Sequence, residues 1–133
     1  MSKILAIMGP LAAITGCAEQ FDHDADLAGR RAVEFAEAAF VGRNMDQGYA
    51  LLADKARSYV PMDKFVEKVN QIHRSGYPDQ VKVLGAVPVQ GEKLVNVKLW
   101  GQGRDGTFEY AIALTGTAAT DYRVASFNGR GGS

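Results

Sequence analysis

The sequence predicts an α+β fold, with three N-terminal helices packed on one face of a curved four-stranded antiparallel meander. Three observations predict it. Apolar residues recur at helical spacing between Ala32 and Ile72. After Pro78 the period changes to two. The alternating runs are then separated only by short glycine-bearing turns, with no helical stretch between them. Helices first and strands afterwards segregate into two layers, and strands joined by tight turns pair with their sequence neighbours.

The first helix is expected to start near Asp26 or Leu27, with Asp26 as the N-cap whose carboxylate accepts from otherwise unpaired N–H groups. Ala32, Phe35, Ala36, Ala39 and Phe40 form one apolar face, while Arg30, Arg31, Glu34 and Glu37 fall mostly on the other. The small alanines point to close packing, and Gly42 weakens the last turn. The second helix begins after Asn44, a good cap with Gln47 three residues on. Its apolar set is Met45, Tyr49, Leu52, Ala56 and Tyr59 or Val60, and Pro61 ends it. The third runs from about Met62 to His73 on Met62, Phe65, Val66, Val69 and Ile72, and stops at Gly76 and Pro78.

Val81, Val83 and Ala86 mark the first strand, which bends between Gly85 and Pro88 and runs on to Gln90. After the Gln90-Gly91-Glu92 turn, Val95, Val97 and Leu99 face one side, and Asn96, Lys98 and Trp100 the other. Asp105-Gly106 is a hairpin signal. Thr107 to Thr115 forms the third strand, with Phe108, Tyr110, Ile112 and Leu114 on one face, and Glu109, Ala111 and Ala113 on the other. Tyr122 to Phe127 closes the sheet, and residues 129–133 are expected to form a flexible tail.

Composition limits the function. The chain has 133 residues and balances 15 Lys+Arg against 15 Asp+Glu, which argues against nucleic acid as the main partner. A hydrophobic fraction of 47% suits one globular domain. With a single cysteine, no disulfide forms within the chain.

The first seventeen residues, MSKILAIMGPLAAITGC, give Lys3, an apolar run from Ile4 to Ile14, small residues and then Cys17. The run is shorter than the about 20 residues of a membrane span, and Gly9 and Pro10 weaken it further. Ile14-Thr15-Gly16-Cys17 resembles the lipobox of bacterial lipoprotein signal peptides. The resemblance implies a signal peptide over residues 1–16, cleavage before Cys17, and acylation of Cys17 by palmitate-like chains that hold the protein in a bilayer. The plainer alternative is that Cys17 is an ordinary residue after a cut elsewhere, since Gly16 and Ala18 also suit a cleavage cleft. Ala18, in place of an inner-membrane-retaining Asp, favours the periplasmic face of the outer membrane.

Residues 17–26 would then be the lipidated cysteine and an acidic tether. Asp22, His23, Asp24 and Asp26 are better read as a solvated linker than as metal ligands, and no metal or other cofactor is expected.

The region 27–128 is similar to the nuclear-transport-factor-2-like superfamily, the cone-shaped, cystatin-like fold shared with ketosteroid isomerases. The resemblance rests on the long first helix leading into Asn44-Met45-Asp46-Gln47-Gly48-Tyr49-Ala50-Leu51-Leu52, the short third helix, and the closing strand Asp121-Tyr122-Arg123-Val124-Ala125-Ser126-Phe127. It implies a pocket between sheet and helices, and a possible homodimer through the open sheet face. Enzymes of this kind place an Asp or His base with tyrosine donors in that pocket.

The candidates here are Tyr49, Tyr59, His73, Glu109, Tyr110 and Tyr122, and none matches the isomerase pattern. His73 reads as a partly exposed helix-end residue and Glu109 as a solvent-facing strand residue. Tyr49, Tyr59, Tyr110 and Trp100 are the ligand-binding candidates, Trp100 beside Lys98 being as readily an edge aromatic as a binding surface. Gly101-Gln102-Gly103-Arg104-Asp105-Gly106 spells a dinucleotide-like glycine pattern, but it lies between two strands, so the helix that cradles phosphate is missing. The expectation is a membrane-anchored envelope lipoprotein whose domain binds a small apolar ligand or an envelope protein without catalysis. The alternatives are a structural or assembly role and an isomerase- or dehydratase-like enzyme.

Overall fold

The computed structural model describes residues 20–132; the expected signal peptide over residues 1–16 and Cys17 lie outside them. The helices are α1 (Ala25–Ala36), which continues into a π-helical turn (Glu37–Val41), α2 (Met45–Ala50), α3 (Asp54–Tyr59) and α4 (Met62–Ile72). The strands are β1 (Gln80–Pro88), β2 (Leu94–Gly103), β3 (Gly106–Thr117) and β4 (Asp121–Gly132), all antiparallel, in the order β1-β2-β3-β4. The fold is α+β, with the helices N-terminal to the sheet.

Helix α1 starts earlier than its apolar pattern suggests. Asp24, not Asp26, is the N-cap, its Oδ1 accepting from Leu27 N at 3.0 Å. Asp24 is fixed there because its own N–H donates to the Tyr122 hydroxyl at 2.9 Å. Ala28, Ala32, Phe35, Ala36, Ala39 and Phe40 are all fully buried. The π turn, marked by Gly42 N donating to Glu37 O at 2.8 Å, widens the last turn by one residue and lets Ala38, Ala39 and Phe40 all turn inward. Arg43 then leaves the helix at φ 53°.

Asn44 caps α2 as expected, accepting from Gln47 N at 3.1 Å. Gly48 is required there: a Cβ would come within 2.8 Å of the Ala39 Cβ, where α2 crosses the π turn. The single second helix expected from the apolar spacing is instead two short ones. Leu51 to Ala53 leave the helix to bridge β4, with Ala53 N donating to Val124 O at 2.7 Å and Val124 N to Leu51 O at 3.3 Å. This covers part of the β4 edge, which would otherwise offer unpaired backbone groups. Arg57 and Arg123 both donate to the carbonyl left open at Ala50.

The strands alternate as their sequence implies. Val95, Val97, Leu99, Phe108, Tyr110, Ile112 and Leu114 are buried against the helices, while Asn96, Lys98, Glu109 and Ala111 are exposed. Bulges at Leu84 in β1 and Ala125 in β4 bend the sheet. Phe35, Phe40, Phe65 and Phe127 fill the space under it, with ring centroids 5.2 to 6.2 Å apart for the pairs made by Phe35 and Phe127. Each such ring contributes about 1.5–3 kcal/mol by burial.

Two expected flexible segments are ordered. The tail expected at residues 129–133 is strand through Gly132, with Gly129 paired to Tyr110 and Gly131 to Phe108. The glycines are needed because aromatic rings lie flat against that backbone: a Cβ on Gly129 would stand 2.6 Å from Tyr110 Cδ1, and one on Gly131 2.7 Å from Phe108 Cε2. The tether expected at residues 17–26 is also docked from Phe21 onward. Asp22 O accepts from Ala118 N at 2.8 Å, and Lys93 Nζ sits 5.3 Å from the Phe21 ring centroid.

These contacts set a test. Tyr110 cannot yield to a methyl at Gly129, because Phe40 stacks on it at 4.6 Å. Gly129→Ala is therefore expected to lose about 1–3 kcal/mol of stability by overpacking. Gly85→Ala, where a Cβ meets nothing within 4 Å, should change it little. Urea denaturation of the two variants measures the difference.

Candidate functional site

A site of the isomerase kind would lie on the inner face of the sheet. The one buried imidazole is there. His73 is 3% exposed, which corrects its reading as a partly exposed helix-end residue. It continues the Phe65–Val69 spacing by one more step of four, so the helix aims it inward. Its Nδ1 lies 2.7 Å from Val69 O and its Nε2 2.8 Å from the Tyr110 hydroxyl. A carbonyl only accepts, so Nδ1 carries the proton and Nε2 accepts from Tyr110.

Burial outweighs the bond to Val69 and holds the His73 pKa below its ordinary value; burial also pushes the Tyr110 phenol up. The ring faces are covered by Tyr77, stacked at 4.5 Å, and Phe40 at 4.9 Å, and Arg43 lies over Tyr77 at 4.7 Å. Both ring nitrogens are thus committed to protein partners. The arrangement is a neutral clamp between α4 and β3, with no free nitrogen to take a proton from a substrate.

The outer face of the sheet is different. Three cross-strand rows stand on it: Lys82, Trp100, Glu109 and Arg130; then Lys98, Ala111 and Asn128; then Asn96, Ala113 and Ser126. Lys82 Nζ lies 5.0 Å from the Trp100 ring centroid, and Arg130 Nη2 donates to Glu109 Oε1 at 2.9 Å. Small side chains in the middle and long ones around them leave a trough of about 450 Å³ over Ala111, rimmed by Leu84, Lys98, Glu109, Asn128 and Arg130. It continues past Ala113 and Ser126 as a further 420 Å³ that reaches Lys68.

The rim is basic. Glu109 is paired with Arg130, while Lys98 has no carboxylate partner among the described residues. Lys68, whose pKa burial lowers, lies 4.7 Å from the Phe127 ring. Leu84, at 58% exposure, supplies an apolar lip raised by the bulge in β1.

The four sequence candidates do not converge. The Tyr49 hydroxyl donates to Val60 O at 2.6 Å and braces the turn after α3. Tyr59 is 75% exposed on α3, away from the sheet. Tyr110 points inward to His73. Trp100 alone stands on the outer face, beside the trough through its cross-strand neighbour Glu109. Glu109 is solvent-facing, and the Tyr122 hydroxyl is tied to the N-terminal segment. Ala111 and Asn128 were not singled out as a site by the sequence, and Lys98 only as the neighbour of Trp100. Alternation in β2 and β3 already placed Lys98 and Ala111 outward, and only the register between strands sets them side by side.

Asp22, His23, Asp24 and Asp26 do not gather around a point, and no metal-ligating group of three or more His, Cys, Asp or Glu exists among the described residues. No described helix is long and apolar enough to cross a membrane. Comparison of the chain with protein-family models and with curated proteins finds no match.

The His73 clamp gives a pH dependence. Because the folded pKa is depressed below the ordinary 6.5, the unfolded chain takes up the proton first. The stability that His73 contributes is fully present above about pH 6.5 and is lost as pH falls through the depressed folded value. Urea midpoints measured between pH 7.5 and 5 should fall more steeply for the wild type than for His73→Gln. Tyr110→Phe, which leaves the buried Nε2 without a donor, should cost about 1–3 kcal/mol at pH 7.5.

Proposed function

We propose that the chain is a lipid-anchored envelope protein whose domain binds a small amphiphile without catalysing its conversion. The observation that carries this reading is the contrast between the two faces of the sheet. Phenylalanines fill the inner side and both His73 nitrogens are committed there, while the outer trough is open and carries Lys98, which has no paired carboxylate among the described residues. Its floor of Ala111 and Ala113, with the lip of Leu84, suits an apolar body; Lys98, Asn96 and Asn128 suit an anionic or strongly accepting head. Nothing in that row is placed to move a proton between carbon atoms.

The anchor follows from the resemblance of Ile14-Thr15-Gly16-Cys17 to a lipobox, and with Ala18 it favours the periplasmic face of the outer membrane. Membership of the nuclear-transport-factor-2-like superfamily belongs to the same proposal. Its support is the order of helices followed by a bent four-stranded meander.

Two measurements test this reading. Fatty-acid label should enter the wild-type chain and be lost in Cys17→Ser. Full chain extracted from membranes in mild detergent should carry an added mass in native mass spectrometry, released by solvent. Lys98→Glu, which reverses the charge at the rim, should weaken its retention by about tenfold or more, some 1.4 kcal/mol. Tyr59→Ser on α3 should leave it unchanged. A ligand retained equally by all three chains would overturn the trough as its site.

A further inference from the structure

The chain enters the fold through a fastened strap. His23 Nδ1 lies 2.9 Å from the Tyr122 hydroxyl, and His23 Nε2 lies 2.8 Å from Glu92 O in the turn between β1 and β2. Since the carbonyl only accepts, Nε2 carries the proton. Tyr122 then donates to Nδ1 and accepts from Asp24 N–H. Asp22 O is held by Ala118 N, in the turn between β3 and β4, and Phe21 lies under Lys93. Antiparallel pairing puts both turns at the same end of the sheet. The turn between β2 and β3, with Arg104 and Asp105, is at the other end. The twelve residues of β3, at about 3.3 Å each, separate the two ends by more than ~30 Å.

This changes what the segment after Cys17 can do. The docked segment begins at Phe21 and not at Asp26, so Cys17 lies at most about 14 Å of extended chain from it. The headgroup layer on each side of a bilayer takes up about 5–8 Å of that. We infer that the domain stands on the membrane with its strapped end down, so that the turns at Gly91–Lys93 and Ala118–Thr120 meet the lipid headgroups and Asp105 points away. Those turns are small and carry little net charge: Gly91, Ala118 and Ala119 leave the backbone close to the surface, and the Lys93 cation stands next to the Glu92 carboxylate. The outer trough then opens sideways, parallel to the membrane, where an amphiphile leaving the bilayer can reach it. The inference rests on acylation of Cys17, as proposed above.

Acylation blocks the only native thiol, so an introduced cysteine can be labelled alone. Acylated full chains carrying Ala119→Cys or Asp105→Cys are labelled with an environment-sensitive fluorophore and placed in phosphatidylethanolamine–phosphatidylglycerol vesicles containing headgroup-spin-labelled lipid. Quenching is expected to be several-fold stronger at position 119 than at 105. Adding Tyr122→Phe and His23→Ala, which unfasten the strap while keeping the aromatic core, should abolish most of that difference. Equal quenching at both positions, or a difference that survives the strap variants, would overturn the inference. Mass analysis of the N-terminal peptide separates the two readings. An unacylated Cys17 overturns the anchor and this orientation with it, whereas an acylated chain with equal quenching overturns the orientation alone.

Discussion

Helix α1 meets the sheet along a face of alanines, and that close approach sets the rest of the architecture. Ala28, Ala32, Ala36 and Ala39 occupy little space, so the helix backbone comes down near the strands, and Phe35 and Phe40 are driven into the volume on either side. The sheet bends around them at Leu84 and Ala125. Bulkier residues on that face would hold the helix away and leave room under the sheet. With alanines the space closes, and Phe65 and Phe127 complete it. The space between helices and sheet is filled by side chains there, and the open trough lies on the opposite face.

The same closeness explains the polar arrangements. A tyrosine or histidine drawn into so tight a core must find partners within it, since an unpaired buried donor or acceptor costs about 1–3 kcal/mol. In the core at one end of the sheet His73, Tyr110 and Val69 O satisfy one another, and at the other end the buried Tyr122 hydroxyl is met by the half-buried His23 and by Asp24 N, with Glu92 O at the exposed side of His23. No buried side-chain polar atom among the described residues lacks a partner. Each group also joins segments far apart in sequence: the first ties α4 to β3, and the second ties the N-terminal strap to β4 and to the turn after β1. They act as fasteners between layers, and the ring nitrogens of both histidines are committed to protein partners.

Much of this was legible in the residues themselves. Alternation placed Lys98, Glu109 and Ala111 outward and Tyr110 inward, and these directions hold because one face of a strand must meet the core. His73 was legible in principle, one step of four beyond Phe65 and Val69. Its position at the end of the helix, beside Arg74, suggested a partly exposed residue instead. The break after Ala50 was not legible, because nothing local forces it: the helix yields there to backbone bonds with Val124, far along the chain. The tail glycines read as flexibility because a glycine's use depends on its neighbour. Only the pairing of Gly129 with Tyr110 and Gly131 with Phe108 shows that they make room for rings.

By itself the sequence determined the class of fold, with helices before strands, and the inner and outer faces of β2 and β3. These are properties of periodicity and local composition, and they need no partner from elsewhere in the chain. The tertiary structure decided where the layers touch: that the interior is filled, that His73 and His23 are fasteners, that β4 runs to Gly132, and that Lys98, Ala111 and Asn128 share one open row. Each of these depends on register and on the distance between α1 and the sheet. Both are set by contacts between residues tens of positions apart, for which a one-dimensional pattern carries no signal.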